Sequence, residues 1–242
     1  MTVDIATHIS GRRIPRTDVL AWEARRASIV AKKLGISERS SDVVTLRRVV
    51  VERKLELGHA GIERLLDREL RWSARVGQLG ALISGRRRRT CTIELTCEAG
   101  AAELVPGWYD DAITANHEVP LIAACPDHYI SRSHPDGAME IIGTTGGAPL
   151  AVRMFFDASD LTTLTTAPDS TFPVQWAGIA RNADGTPLGG IRHQFRDEHP
   201  GFHVRLTVEF PLTTPAYMIA AHQWHLACEF SNWIEDANAV TS

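Results

Sequence analysis

The sequence predicts an α+β protein in which a helical first part precedes an antiparallel sheet closed by one long carboxyl-terminal helix. Three observations carry this. From Thr17 to about Leu79, apolar residues recur at spacings of three and four; from Thr90 they alternate; and from about Pro215 to Asn238 a helical spacing returns. The change of period coincides with a change of charge. Residues 1–90 hold 20 Lys+Arg against 10 Asp+Glu, whereas residues 91–242 hold 6 against 19. A boundary is therefore expected after residue 89, with a basic helical region over 1–89 and a second domain over 90–242.

The first part predicts about three helices. Thr17 or Asp18 caps a segment that runs to Leu34, with Gly35 as its stop. Ser40, Ser41 or Asp42 caps a second, which carries Val43, Val44, Leu46, Val50 and Leu57. A third follows Ile62, Leu65, Leu66, Leu70, Val76 and Leu79. Within this region IVAKKLGISERSSDVVTLRRV, Ile29 to Val49, has the alanine, glycine and positive charge of a helix-turn-helix, but Ser41 stands where such a motif needs an apolar anchor. A solvated basic face, or one that docks on the acidic second part or another subunit, is the favoured reading, and a nucleic-acid partner is not expected.

After Thr90 the elements are shorter. TCTIELTCE reads as a strand, VPGWYDDAITAN as a short helix, and LIAACPDHYISRS as an apolar run followed by a strand. GAMEIIGTTGG and PLAVRMFFDA are strands on either side of a glycine turn; VQWAGIARNADGTPLGGIRHQF and FHVRLTVEF supply three more, with turns at Asn182–Gly185 and Pro200–Gly201. A long helix packed across such a sheet encloses a natural cavity.

Several classes of function fall away on composition. No stretch approaches the roughly 20 apolar residues of a membrane helix, so no membrane partner is expected. The start lacks the order of a secretory signal, and Cys91, Cys97, Cys125 and Cys228 form no CxxC pair, so a cytoplasmic protein with reduced thiols is expected. The three lysines, Lys32, Lys33 and Lys54, all precede the charge boundary, which leaves the second part without a Schiff-base lysine. A homodimer is expected.

The chemistry concentrates in the last helix. In HQWHLACEFSNW, His222, His225, Glu229 and Asn232 stand three, four and three apart and share one stripe of a helix that is apolar nearly all round. Buried imidazole and carboxylate groups need partners, and a divalent metal held by His225 and Glu229 would supply one. A second imidazole must come from elsewhere, and His128 in CPDHYIS is the leading candidate. His193, on a predicted strand, is placed to face the same cavity.

In their order along the chain, ELVPGWYDDAITANHE, CPDHYIS, GAMEIIGTTGGAPLAVRMFFDASDL, GGIRHQF and HLACEFSN resemble the 2,4-diacetylphloroglucinol hydrolase and phloretin hydrolase family, over roughly Cys91 to Asn238. The resemblance implies a Bet v 1/START-like sheet wrapped on the last helix and hydrolysis of a carbon–carbon bond between an aromatic ring and an acyl group. It also implies a zinc ion held by His128, His225 and Glu229. The family's remaining glutamate has no clear counterpart: its place reads EIIGTTGG, with Gly143 or Thr144 there and Glu140 or Asp157 as substitutes. His193, His222 or Tyr129 would supply the proton, and Trp108, Tyr109, Trp224 and Asn232 would contact an aromatic or polyketide-like substrate. The rival readings are a metal-free polyketide cyclase or isomerase using the same cavity, and a ligand-sensing regulator whose basic helices bind DNA.

Overall fold

The computed structural model describes residues 3–37, 40–135 and 137–241. Among them, nine strands form one antiparallel sheet. The chain opens with a hairpin, β1 (Ile5–Ile9) and β2 (Arg12–Ile14), followed by α1 (Arg16–Lys33) and α2 (Val43–Ser84). Next come β3 (Arg88–Cys97), α3 (Leu104–Thr114), α4 (Glu118–Ala123) and β4 (His128–Ser133). The remaining strands are β5 (Met139–Thr144), β6 (Ala151–Asp157), β7 (Val174–Arg181), β8 (Pro187–Glu198) and β9 (Gly201–Pro211), and α5 (Ala216–Thr241) closes the chain. The sheet order is β2-β1-β3-β9-β8-β7-β6-β5-β4. The expected α+β class is therefore present, with the long helix packed on β1 and β3.

Local chemistry explains most boundaries. Asp42 caps α2 by accepting from the Thr45 amide at 2.8 Å. Within α2, Gly58 adopts φ 60° and ψ 173°, outside the helical range, so the segment is two helices joined at a kink. This division reproduces the second and third helices expected from the sequence. Side chains of one strand alternate between faces, and β5 shows the result: Ile141 packs against one hydrophobic cluster and Ile142 belongs to the other. The first cluster lies between the sheet and α5; the second joins β4, β5 and β6 to α1 and α2.

The helical reading of residues 1–89 missed the opening hairpin. β1 pairs with β3 from Ile5↔Cys97 to Ile9↔Ile93, and the expected boundary after residue 89 falls inside β3. Ile5, Ile9, Val19 and Trp22 enter the same cluster as Phe230 and Ile234 of α5. The basic and acidic parts meet within the chain: Arg26 forks onto Asp127 at 2.6 and 2.9 Å, and Arg16 onto Glu235 at 2.9 Å through two nitrogens. In the helix-turn-helix segment, which includes residues 38 and 39 outside the described set, Arg47 turns inward to Glu23 at 2.7 and 2.9 Å.

Glu23 is the buried hub of this contact, with no exposed surface. It accepts from Arg47 and from Asn232 of α5, while the Asn232 oxygen accepts from Arg16 and Arg47. Removing the carboxylate leaves Arg47 unpaired in a mostly dry site. Glu23→Ala is expected to lower the unfolding free energy by about 3 kcal/mol in urea denaturation, and a loss below about 1 kcal/mol would show the hub to be dispensable.

Lys54 is equally buried and donates to the carbonyls of Ile122 and His128. Burial pulls its pKa from 10.5 down to about 8. Between those values the unfolded chain holds a proton that the folded chain has lost, so this group makes stability rise with pH across the window. Relative to Lys54→Met, the wild-type protein should gain stability from pH 8 to 10.5 and show no such difference in slope below pH 8, as measured by denaturation at each pH.

Candidate metal centre and aromatic pocket

His128 begins β4, directly after the turn that follows α4, and points toward α5. His225 and Glu229 stand one turn apart on α5 and point back. The two imidazole Nε2 atoms are 3.1 Å apart, and the Glu229 oxygens lie 3.5 Å from His128 Nε2 and 3.8 Å from His225 Nε2. All three residues are at least 92% buried, and one ligand atom from each falls within 4.8 Å of the others. The three candidate metal ligands thus converge on one point.

The rings are held so that their Nε2 atoms face this point. His128 Nδ1 lies 3.2 Å from the Leu121 carbonyl, to which only a protonated nitrogen can donate, which leaves Nε2 as the acceptor. His225 Nδ1 is 3.5 Å from Cys125 Sγ. For both Nε2 atoms to be free to ligate, His225 carries its proton on Nδ1 and donates to Cys125 Sγ. Burial pushes Glu229 up to about 8 and His128 down to about 4, and holds His225 well below its usual value. Burial thus favours a neutral centre, and no Lys or Arg ion pair reaches Glu229 among the described residues. Two imidazole nitrogens and a carboxylate with ligand atoms within 4.8 Å of one another form a donor set that could hold a divalent ion such as zinc, which takes mixed nitrogen and oxygen ligands.

At the position where the resemblance would place a further glutamate, the two strands run close together. Gly143 of β5 is the cross-strand partner of His128, and a Cβ there would lie 2.9 Å from the Asp127 carbonyl oxygen. No side chain fits. Neither substitute reaches the centre: Glu140 is engaged by Arg132, His134 and Arg153, and Asp157 bonds Ser159 in a turn. Thr144 instead donates to Asp127, which Arg26 also holds.

Beyond the three ligands, His222 stacks on His225 with centroids 4.8 Å apart and an interplanar angle of 17°. The β5–β6 turn reaches it from outside: a Cβ on Gly146, at φ 38°, would lie 2.5 Å from the His222 Cα. His193 of β8 lies edge-on to Phe230 at 5.1 Å and Trp176 at 5.7 Å. Burial pushes both imidazoles down to about 3. His193 Nδ1, His222 Nδ1 and Trp233 Nε1 are all buried without a hydrogen-bond partner in the protein. Such atoms mark a place where a ligand or water is wanted.

Tyr109 packs on Trp176 at 4.3 Å and on Trp233 at 5.1 Å, and its hydroxyl donates to Met139 Sδ at 2.9 Å. Trp108 stands behind Trp233 at 6.4 Å, and Trp224 packs on the periphery of the first cluster.

Two expected site residues lie elsewhere. Tyr129 follows His128 but belongs to the second cluster, where Lys33 and Lys54 approach its ring, so it is no proton donor to this centre. Asn232 shares the helical stripe but stands about one turn beyond Glu229, about 4.5 Å further along at 1.5 Å per residue. Its amide is spent on Glu23 and the Ala124 carbonyl. The expected exclusion of lysine from the second part also needs amendment: Lys54 arrives from α2, although its Nζ is committed to carbonyls. Sequence reasoning passed over Trp176 and Cys125. Trp176 meets His193 only through β7–β8 pairing, for which a single sequence carries no signal, whereas Cys125 stood in plain view beside His128.

Comparison with protein-family models and with curated proteins finds no match to this chain. No helix among the described residues is long and apolar enough to cross a membrane.

Gly143→Ala tests the close strand approach at the centre. The variant is expected to lose about 1–3 kcal/mol in urea denaturation, because the added methyl meets backbone that cannot turn aside. Unchanged stability would mean that β4 and β5 are free to separate there.

Proposed function

We propose that the protein is a zinc-dependent hydrolase that cleaves the bond between an aromatic, phloroglucinol- or polyketide-like ring and an acyl group. The observation that carries this reading is the buried convergence of His128, His225 and Glu229, whose ligand atoms lie within 4.8 Å of one another. A zinc ion held there would supply Lewis acidity to an acyl carbonyl and to water. The nearby rings of Tyr109, Trp176, Phe230 and Trp233 suit a planar substrate, and Trp233 Nε1 offers an unused donor to its oxygens.

In the overall reaction water adds to the acyl carbon, the acyl group leaves as a carboxylic acid, and the ring carbon takes up a proton. His193 and His222 have the position and the unpartnered Nδ1 atoms to convey that proton. The resemblance to the acylphloroglucinol hydrolases, with their Bet v 1/START-like fold, supports the same reading independently of the geometry. Four buried free thiols fit a reducing, cytoplasmic setting.

A metal-free cyclase or isomerase is the second reading. It is favoured by Gly143, which with Thr144 stands where the resemblance implies a further ligand and which has no room for a side chain. In that case the aromatic box restrains a flexible polyketide, and the imidazoles act through hydrogen bonds alone.

Elemental analysis of protein purified without chelator should find stoichiometric zinc. His225→Ala and Glu229→Ala should each weaken zinc binding by more than about 100-fold, a larger effect than loss of an outer partner. Incubation with acylphloroglucinols, followed by mass spectrometry, should show chelator-sensitive release of the acyl group as an acid. Full turnover in EDTA, with a ring-closed product, would replace the hydrolase by the cyclase.

A further inference from the structure

The second half of α2, beyond the Gly58 kink, carries a row of large apolar side chains that lie largely exposed among the described residues. Leu65, Trp72, Val76, Leu79 and Ile83 are 46–60% exposed, and Leu82 beside them is 79% exposed. At 100° per residue the first five fall within about 60° of one another, a single stripe about 27 Å long. The buried face of the same helix, with Ile62 and Leu66, is turned toward the sheet, so this is a second apolar face. An unpartnered stripe of this extent marks a contact surface.

Charge selects the partner. Arg64, Arg68, Arg71 and Arg75 form a ridge along one flank of the stripe, and Arg86, Arg87 and Arg89 extend it past the helix end. The only exposed acid in this stretch, Asp67, pairs with Arg71 at 2.8 Å. None of Arg64, Arg68, Arg75, Arg86, Arg87 and Arg89 has a carboxylate partner among the described residues. Arg86 and Arg89 bond only to the carbonyls of Thr162 and Leu212. A second copy laid antiparallel on the stripe by a twofold axis would set the two ridges side by side, like charge against like. Nucleic acid would match the ridge but leave the apolar stripe in water.

A groove at the carboxyl end of the stripe adds an independent observation. It has a volume of about 580 Å³ and is lined by Leu79 and Leu82 together with Arg75, Arg86 and Arg88. The Arg88 Nε is shielded from solvent and has no acceptor. Apolar side chains and guanidinium groups that open into one groove suit a phosphate headgroup beside its acyl chains.

We propose that the exposed face of α2 from Leu65 to Ile83, with its arginine ridge, lies on an anionic phospholipid surface. The helix rests in the interface plane, with Trp72, Val76, Leu79 and Ile83 among the upper acyl carbons and the arginines at the phosphates. This contact needs no spanning segment. It does not depend on the reading of the metal centre.

The test is flotation of the full chain with vesicles of phosphatidylcholine, alone or with about 30 mol % phosphatidylglycerol, at low and high salt. The protein should float with the anionic vesicles, remain behind with the neutral ones, and be released by salt. Arg71→Ala and Arg75→Ala should each weaken partition about fivefold, and Leu79→Glu combined with Ile83→Glu should abolish it, with circular dichroism unchanged. Equal binding to both vesicle types, or binding that survives Leu79→Glu with Ile83→Glu, would overturn the proposal. So would a dimer that fails to bind vesicles and falls apart in that double variant, because the stripe would then belong to a second copy. Retention on duplex DNA instead of vesicles would likewise overturn it.

Discussion

The structure turns on the 3.1 Å approach of two imidazole nitrogens, one from the start of β4 and one from the middle of α5. Bringing these groups together away from water, with a carboxylate beside them, disfavours their charged forms and holds them close to one another. Much of the surrounding architecture fixes where they stand. The Leu121 carbonyl orients His128, Lys54 grips the His128 and Ile122 carbonyls, and Cys125 meets the far side of His225. Gly143 lets β5 come close enough to hold the strand in place.

The support for this centre is drawn from the whole chain. Arg26 of α1 holds Asp127, the residue before His128, while Glu23, one turn earlier, takes up Asn232, the residue three beyond Glu229. The helices at the start of the chain thus brace both the strand and the helix that carry the ligands. Part of their positive charge answers carboxylates of the second part, Arg26 holding Asp127 and Arg16 holding Glu235.

The sequence made the fold class and the three converging side chains legible for separate reasons. Periodicity reports which face of a segment is buried, and it changed clearly at Thr90. The His225 and Glu229 spacing fixes a shared helical face by local geometry alone, whereas His128 was chosen for its place between an apolar run and a predicted strand, and the family resemblance pointed to it as well. What escaped depends on distant pairing. The opening hairpin is short and gains its place only from β3. Trp176 reaches His193 only because β7 pairs with β8. Tyr129 was misplaced because its neighbour in sequence points to the opposite face, and Asn232 because a common stripe says nothing of distance along the helix axis.

The opening hairpin has a consequence for how this chain can be divided. Since β1 is hydrogen-bonded along β3 from Ile5 to Ile9, the change from basic to acidic composition is not a seam at which one portion can be exchanged for that of another protein. A graft made there would strip the β1–β2 hairpin from the sheet and uncover apolar residues on α5. Insertions and fusions would be better received at the tip between β7 and β8, where Ala183 and Asp184 lie at the surface.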